Sequence, residues 1–525
     1  MTGIQISGMI YFIAAMVFGF AGLGFAFYKC VTLTKDRRQT IDYKSYFKAI
    51  IPALAVFIIL FPLGLLSIYI WNAYNPTWQN YLQVIFGGLL FACSFGGGLC
   101  SFILHYYKKG LPAKLDKILF YFLMVSIPVV VVSLLLTTDG FADMGGYHYL
   151  LPDGISFSEG FSYPNRGARP NIAFYALCIL SGAVFVYFLC DHKMYLEYGK
   201  HGTLDATFLI AFPAGILGAR IAYVIGNWTL DSFDARVARG EWWSIFAIWE
   251  GGLTILGGAI AGIAVGVLVY MKTNKGRSIF RAVDIIVPTI LIAQAVGRWG
   301  NFFNCEVHGG QVPEAYWGWL PRIIFNNAHY SSANGWANEG YLYAPLFFIE
   351  FLVNLFGYFV IAHLFGIKLK KILAPGDLAA GYVIWYGFTR VFMEPLRDSA
   401  YNMGDDGYWS WFWSLIFVAA GTLLIAANHI VRYVLARRNG KDTNSYSLMT
   451  TSIASAALAI SALSLIIVGV FNMVNNAQAL SIALNGFNIG VICLVTGVAV
   501  LFLTAASVVE LVYKIKDNPT GASNG

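Results

Sequence analysis

Long runs of apolar residues separated by short polar loops dominate the pattern along this chain. Many of the runs are close to 20 residues, the length at which an α-helix crosses a bilayer core of about 30 Å. The short alternating segments of a transmembrane barrel are not visible. The pattern therefore predicts an all-α polytopic membrane protein with about thirteen spans, at about 7–28, 48–71, 82–106, 117–137, 171–190, 206–226, 250–271, 283–303, 343–366, 377–395, 409–434, 450–473 and 483–512.

These spans fall into three blocks that differ in polar content. Only the middle block places arginines and glutamates within or against its apolar runs. We predict an N-terminal four-helix membrane extension at 1–137, an external loop at 138–170 and a seven-helix core at 171–434. A C-terminal two-helix membrane extension at 450–512 and a disordered tail at 513–525 follow.

Composition agrees with an integral membrane protein. The chain is 58% hydrophobic and 12% charged, whereas soluble domains carry about 25% charged residues. The formal net charge of +7 comes from Lys and Arg in short loops, which indicates membrane topology and anionic lipid contact rather than nucleic-acid binding. Seven cysteines without a C-x-x-C pair suggest neither a disulfide framework nor a metal site.

The distribution of loop charges predicts the orientation of the chain. Basic loops follow the odd-numbered spans, except that the loop at 191–205 is mixed in sign. The positive-inside rule then places the N-terminus outside and the C-terminus in the cytoplasm. The eighth span would run outwards, so its polar end would lie at the outer leaflet.

The end of that eighth span is unusually polar. Arg298, Asn301 and Asn304 are three residues apart and share one helix face, with Glu306 and His308 just beyond. A charged side chain at the bilayer centre costs about 2.5–3.5 kcal/mol on insertion scales. Helix packing alone would explain the neighbouring glycines but not the polar face. We therefore predict an oxyanion site, because a guanidinium fork suits phosphate or carboxylate.

A second polar stripe lies in the tenth predicted span. Tyr386, Arg390, Glu394 and Arg397 fall at i, i+4, i+8 and i+11, which is a continuous helical stripe. An internal ladder of ion pairs is the simpler interpretation. Two arginines against one glutamate nevertheless leave positive charge over, which again suits a phosphate.

Two further groups precede these stripes. Arg220 and Tyr223 share a helix face well inside the sixth span, which favours a functional or ion-paired arginine over one that reaches for the membrane surface. Glu250, Gly251 and Gly252 open the seventh span. Glu250 can cap a helix or pair with an arginine, and the glycines allow close approach of a helix or of a ligand.

Three separate helices thus direct an arginine towards the outer half of the membrane. Like charges gathered at low dielectric repel each other unless an anion joins them. We expect Arg220, Arg298 and Arg390 to meet around a phospholipid headgroup, which arrives at that depth with its acyl chains already in the bilayer.

Four segments resemble, in the same order, the signature of the phosphatidylglycerol–prolipoprotein diacylglyceryl transferase family. They are Gly218–Arg220, Glu250–Gly258, Gly297–Glu306 and Tyr386–Arg397. Tyr175 is similar to an early tyrosine of the family. The resemblance covers about residues 165–435, and the seven spans there equal the core count of the family.

The resemblance implies a reaction at a bacterial cytoplasmic membrane. The family moves the diacylglyceryl group of phosphatidylglycerol to the lipobox cysteine thiol in the signal peptide of a prolipoprotein. A thioether forms, glycerol phosphate leaves, and no metal or organic cofactor is required. On this basis we predict catalytic roles for Arg298, Arg390, Glu306, His308 and Tyr386. We predict substrate-binding roles for Tyr175, Arg220, Glu250, Gly251, Gly252, Asn301, Asn304, Glu394 and Arg397.

The sequence also departs from the family at the position of its usual candidate base. Leu256 stands where the family has a histidine, and Ala344-Pro345 and Ile349 replace a His-Pro pair and a tyrosine. Either His308 substitutes, or the arginine field alone lowers the thiol pKa, or activity is lost. The alternatives are therefore an inactive paralogue that binds lipid or lipoproteins as a scaffold, and a lipid or anion transporter, although the inverted repeats typical of transporters are not visible.

Overall fold

The structure of the protein is a computed structural model. It describes residues 3–35, 43–72, 78–107, 111–136, 154–156, 171–228, 233–246, 252–368, 373–398, 408–440, 452–475 and 486–517. Glu250 and Gly251 lie outside these ranges, as does most of the predicted loop at 138–170.

Helices make up nearly all of the described chain. The α-helices are α1 (Gly3–Lys35), α2 (Tyr43–Asn72), α3 (Trp78–Tyr107), α4 (Ala113–Leu136), α5 (Phe174–Tyr198), α6 (Asp205–Gly226), α7 (Phe233–Ala238), α8 (Ile255–Thr273), α9 (Ile279–Ile286), α10 (Ile290–Asn304), α11 (Arg322–Asn327), α12 (Leu346–Tyr358), α13 (Asp377–Met393), α14 (Tyr408–Arg438), α15 (Ser452–Asn475) and α16 (Gly486–Asp517). A π-helical segment, Phe359–Lys368, continues α12. Backbone groups in lipid must be satisfied within their own segment, which is why apolar runs of this length form helices.

Eleven helical segments of the described chain are long and apolar enough to cross a membrane. The all-α polytopic fold class is thereby confirmed. The two other predicted spans, at 250–271 and 377–395, correspond to the shorter helices α8 and α13. At the C-terminus α16 continues to Asp517, so 513–517 are helical and do not belong to the predicted disordered tail, and 518–525 lie outside the described residues.

Three two-stranded antiparallel sheets are found among the described residues. β1 (Gly154–Ser156) pairs with β2 (Asn171–Ala173), β3 (Gln311–Pro313) with β6 (Tyr341–Tyr343), and β4 (Tyr330–Ser331) with β5 (Gly335–Trp336). Four of these strands lie between α10 and α12. They give that connection a folded structure of its own.

The contacts divide the chain into two compact units. One comprises Tyr187–Val287, and the other comprises Met1–Val186 together with Pro288–Gly525. These limits do not coincide with the predicted domain boundaries, which stay predictions.

Within the smaller unit, α6 and α8 pack closely through glycines. A Cβ added at Gly218 would lie 2.9 Å from the carbonyl oxygen of Gly257, and one added at Gly257 would lie 2.7 Å from the carbonyl oxygen of Gly218. Any side chain at these positions would push the two helices apart. The second glycine pair of the 250–258 motif therefore serves helix packing.

In the larger unit, aromatic side chains hold the end of α10 against α5 and α12. Phe174, Phe302, Phe303 and Phe347 are all buried in one cluster. The rings of Phe302 and Phe347 lie 5.2 Å apart, and those of Phe174 and Phe303 lie 5.0 Å apart. This packing fixes the helix that carries Arg298.

Candidate active site

The predicted oxyanion motif lies at the C-terminal end of α10. Arg298 directs its guanidinium at Glu350 of α12, with 2.5 Å between Arg298 Nε and Glu350 Oε2. Its Nη1 also lies 3.5 Å from Asn301 Oδ1. The arginine is thus held on both sides, and 22% of its side chain remains exposed. A partly exposed, oriented guanidinium can still receive an anion.

Glu350 gathers the arginines of three segments. Its side chain is 6% exposed, and its Oε1 lies 3.5 Å from Arg390 Nη1 and 3.2 Å from Arg397 Nη2. A buried carboxylate of this kind needs positive partners, because removing an ion from water costs several kcal/mol. Glu350 therefore fixes where Arg298, Arg390 and Arg397 come together.

The stripe on α13 adds a second carboxylate to this arginine cluster. Arg390 Nη2 lies 2.7 Å from Glu394 Oε2, and the Glu394 side chain is 1% exposed. Three guanidinium groups, those of Arg298, Arg390 and Arg397, thus face two carboxylates, those of Glu350 and Glu394. One positive charge is left over among these five groups, and the ion-pair ladder predicted from the sequence is present at Arg390 and Glu394.

Glu306 is held differently from these two glutamates. Its Oε1 accepts hydrogen bonds from Asn301 Nδ2 at 2.9 Å and from Asn304 Nδ2 at 3.3 Å. A carboxylate held by neutral amides is stabilised less than one paired with guanidinium groups. Asn301 contacts both Arg298 and Glu306 and so joins the two parts of the site.

The backbone around Glu306 is under strain. Cys305 and Val307 adopt φ angles of 51° and 60°, although a β-branched residue such as Val rarely enters this left-handed region. Each such residue costs about 1–3 kcal/mol and persists only where its surroundings enforce it. Here the Cys305 amide caps α10 at the Phe302 carbonyl, and the Glu306 amide donates to the Asn301 carbonyl. These hydrogen bonds hold the strained turn and keep Glu306 folded back over the end of α10.

Tyr175 packs directly on the signature helix. A Cβ added at Gly300 would lie 2.5 Å from Tyr175 Cδ2, so only glycine permits this contact. Tyr175 lies near enough to Glu306 and Arg298 for their charges to act on its phenol group. The structure thus places Tyr175 close to Arg298 and Glu306, and its substrate-binding role stays a prediction.

Tyr386 lies one turn before Arg390 on α13. Its ring stacks on Tyr382 at 6.3 Å, and the Tyr382 hydroxyl accepts a hydrogen bond of 3.1 Å from Gln294 Nε2 of α10. The two arginine-bearing helices, α10 and α13, are therefore also joined about two turns before Arg390.

Backbone contacts tie together the connections at this end of the helices. The Gly309 amide donates to the Ala344 carbonyl, and the Asp398 amide donates to the His308 carbonyl. Gly309 also forms an isolated antiparallel bridge with Arg397. A Cβ at Gly309 would lie 2.7 Å from the Leu396 carbonyl oxygen, so a glycine is needed where these segments meet.

His308, the predicted substitute base, is fully buried. Its ring lies 6.0 Å from that of Tyr343 and 6.3 Å from that of Phe347. Burial lowers the pKa of His308 to about 4, although the nearby Asp398 carboxylate and Cys305 backbone oppose this shift. A closed, neutral imidazole favours a packing role, and the catalytic role stays a prediction.

Arg220 belongs to the smaller unit, where it is 2% exposed. Its Nε, Nη1 and Nη2 donate to the carbonyl oxygens of Ile245, Gly252 and Ser244 at 3.1, 3.3 and 2.8 Å. Gly252 has a φ of 64°, and a Cβ there would approach Arg220 Nη1 to 2.8 Å. This geometry favours a structural role for Arg220 and Gly252 over the predicted substrate-binding role.

Glu350 was not predicted from the sequence. The signal was present, because Glu350 is a single acidic residue near the start of an otherwise apolar span. Ionisable residues within membrane segments are expensive and usually functional. In the sequence its nearest polar neighbour at helical spacing is Asn354, and only the fold shows that three arginines converge on Glu350.

Comparison with known proteins places this chain in a family. A sequence model of prolipoprotein diacylglyceryl transferases matches residues 168–427. A phosphatidylglycerol–prolipoprotein diacylglyceryl transferase of Clostridium botulinum is 35% identical over 234 residues, which are 45% of this chain and 84% of the relative. The chain belongs to the prolipoprotein diacylglyceryl transferase family. Transferases of the same name from Streptococcus pyogenes and Streptococcus suis are 40% identical over 240 residues and 35% identical over 234 residues. These alignments cover 44% of this chain in both cases, and 82% and 80% of the relatives.

The family match begins just before α5 and ends within α14. The arginine cluster, Glu306 and Tyr175 all fall inside it. The four helices α1–α4 and the pair α15–α16 fall outside it.

Proposed function

We propose that this protein transfers the diacylglyceryl group of phosphatidylglycerol to the lipobox cysteine thiol of a prolipoprotein. The observation that carries the proposal is the convergence of Arg298, Arg390 and Arg397 on Glu350 with one positive charge in excess. Family membership supports the reaction class, because the relatives are named for it. In this proposal the lipid phosphate approaches the exposed side of Arg298.

The reaction breaks a carbon–oxygen bond of the lipid and forms a carbon–sulfur bond to the cysteine. The leaving group is glycerol phosphate, so negative charge grows on its oxygens in the transition state. Donors that are already oriented by Glu350 and Glu394 stabilise this charge without reorganising, which is usually the largest catalytic term.

The thiol must also lose its proton, since its unperturbed pKa is near 8.5. Glu306 is the proposed acceptor because amides rather than guanidinium groups hold it. The excess positive charge of the arginine cluster favours the thiolate in the same direction. Tyr175, packed on Gly300 between Arg298 and Glu306, is proposed to line the space in which thiol and lipid meet.

We further propose that the site faces the outer leaflet of a bacterial cytoplasmic membrane. The basic loops after odd-numbered spans support an external N-terminus and a cytoplasmic C-terminus. Under this orientation the ends of α10 and α13 lie where phospholipid headgroups and secreted precursors are both accessible.

The test is lipidation of a synthetic lipobox peptide by the purified full chain in phosphatidylglycerol vesicles. We expect a thioether-linked product by mass spectrometry, and its loss in Arg298→Ala. Arg432→Ala is a matched control, because Arg432 pairs with Asn428 and the Pro375 carbonyl, away from the arginine cluster. An Arg298→Ala protein that retains the rate of the control would overturn the proposal.

Leu256, at the start of α8, favours a second candidate, a lipid-binding scaffold without turnover. That function predicts saturable phosphatidylglycerol binding by the wild-type chain and no thioether product at any lipid concentration. A gain of product in Leu256→His would then identify the missing histidine as the cause.

A further inference from the structure

The C-terminal helix α16 lies outside the family match but packs along the length of α14. Towards its C-terminus, Arg437 Nη1 of α14 donates to the Tyr513 carbonyl at 3.1 Å. The same guanidinium lies 4.5 Å from the centroid of the Tyr513 ring. Towards the other end of α16, Val491, Ile492 and Val495 pack against α14. The two contact regions are about 30 Å apart at 1.5 Å per residue, so α16 is fixed across a membrane thickness.

The cluster in the second contact region includes a residue of α13, which carries part of the candidate active site. Val391 of α13 is 2% exposed and is buried with Trp411 and Leu415 of α14 in one cluster. Ile492 and Val495 of α16 pack against this same cluster. Val391 directly follows Arg390 and lies one turn before Glu394. The packing thus acts within one turn of both charged residues.

The companion helix α15 in turn holds α16 at this level. A Cβ added at Gly469 of α15 would lie 2.6 Å from the Leu494 amide nitrogen and 2.7 Å from the Gly490 carbonyl oxygen. Such close backbone contact is typical of stable helix pairs in membranes. The segment of α16 that packs against the cluster of Val391, Trp411 and Leu415 is therefore also held by α15.

We propose that α15 and α16 form a positioning element that holds α13 where Arg390 and Glu394 meet Glu350. Ile492 and Val495 are its positioning residues, and they act through Val391. The inference rests on the proposed function and assigns the two C-terminal helices a part in the same site.

Without α16, lipid acyl chains would cover the cluster that contains Val391. Acyl chains are as apolar as Ile or Val, so burial alone gives little preference for protein over lipid. Protein side chains in fixed rotamers do, however, restrict α13 in a way that mobile lipid cannot. A displacement of about 1 Å can lower turnover about 100-fold. The expected effect of losing this contact is therefore on turnover rather than on membrane insertion.

The test compares two isoleucine truncations on one helix in the full chain. Ile492→Ala removes the contact with the Val391 cluster, whereas Ile489→Ala removes a side chain that is 46% exposed. We expect kcat for thioether formation to fall about tenfold in Ile492→Ala, with KM for phosphatidylglycerol changed less than kcat. Ile492→Val should restore most of the rate, and Ile489→Ala should stay within about twofold of wild type.

A double substitution separates positioning from simple instability. In an Arg390→Lys background, Ile492→Ala should cause no further loss of kcat, because the group that it positions is already changed. If Ile492→Ala acted by reducing the amount of folded protein, its loss of rate would multiply the loss caused by Arg390→Lys. That result would overturn the inference. Equal losses in Ile492→Ala and Ile489→Ala would overturn it as well.

Amide hydrogen exchange tests the inference even if the wild-type chain forms no product. Ile492→Ala should accelerate exchange over residues 388–394 of α13, and Ile489→Ala should not. Unchanged exchange there would refute the positioning role, whereas missing product with accelerated exchange would count only against the proposed function.

Discussion

Replacing Glu350 by glutamine tests the centre of the candidate site. The substitution keeps the shape of the side chain and removes its charge. Arg298, Arg390 and Arg397 each place a nitrogen within 3.5 Å of its carboxylate. After the change, three guanidinium groups share only Glu394, and the excess charge of the arginine cluster rises from one to two.

The expected magnitude follows from these contacts. Unit charges 4 Å apart interact by about 4 kcal/mol at an effective dielectric constant of 20, and removing one partner of a buried pair costs about 3–5 kcal/mol. The arginines are therefore expected to spread apart unless a lipid phosphate joins them. Losing a single oriented donor lowers kcat about 10²–10³-fold in other enzymes. Since Glu350 orients both Arg298 and Arg390, we expect a loss of kcat of at least about 100-fold.

The assay is thioether formation at varied phosphatidylglycerol, with kcat and KM determined separately. We expect kcat to collapse in Glu350→Gln while KM for the anionic lipid stays equal or falls, because the added positive charge attracts it. Asp377→Asn is the matched control. It also removes a buried carboxylate, one that contacts His429 Nε2 at 2.6 Å, and should reduce stability without reducing kcat per folded molecule. Equal kcat values for the two variants would refute this reasoning.

Four other outcomes are expected. Arg390→Lys keeps the charge but loses the two-sided contact with Glu350 and Glu394, so kcat should fall about 100-fold in the lipidation assay. For His308, the folded pKa near 4 lies below the ordinary value of 6.5, so the unfolded chain binds the proton first as pH falls. Stability should drop by about 3 kcal/mol between pH 6.5 and 4, and thermal unfolding of His308→Phe should show a weaker pH dependence. Arg220→Lys leaves buried carbonyls without donors and should lower thermal stability by about 2 kcal/mol with KM for phosphatidylglycerol unchanged; a raised KM would instead support substrate binding. Val307→Gly should relieve about 1 kcal/mol of backbone strain and, in the same two assays, raise stability while lowering kcat.

The sequence allowed the helices and the arginine stripes to be predicted because their signals are local. Apolar runs of bilayer length specify spans, and the three-residue spacing of Arg298, Asn301 and Asn304 specifies a shared face. The same logic applies to the stripe from Tyr386 to Arg397, whose internal pairing the structure shows at Arg390 and Glu394.

The sequence could not predict which residues far apart in the chain pair with each other. Glu350 lies about 50 residues from Arg298 in the chain, and no periodicity links the two. His308 shows a second limit of the sequence, because its spacing after Asn304 did not indicate that the left-handed turn at Cys305 and Val307 would bury it beside Tyr343 and Phe347. Non-glycine residues in that conformation cannot be predicted from their identity, because surrounding contacts impose it.

The hydrogen bonds at Gly309 have a consequence for access to the arginines. They fasten the connection after α10 to the segment before α12 and to the segment after α13. An opening at this end of the helices would have to move all three connections together. Lipid molecules are therefore expected to reach the arginines between helices rather than over the helix ends. Amphiphilic phosphate esters that travel within the bilayer should therefore inhibit more strongly than water-soluble esters with the same headgroup.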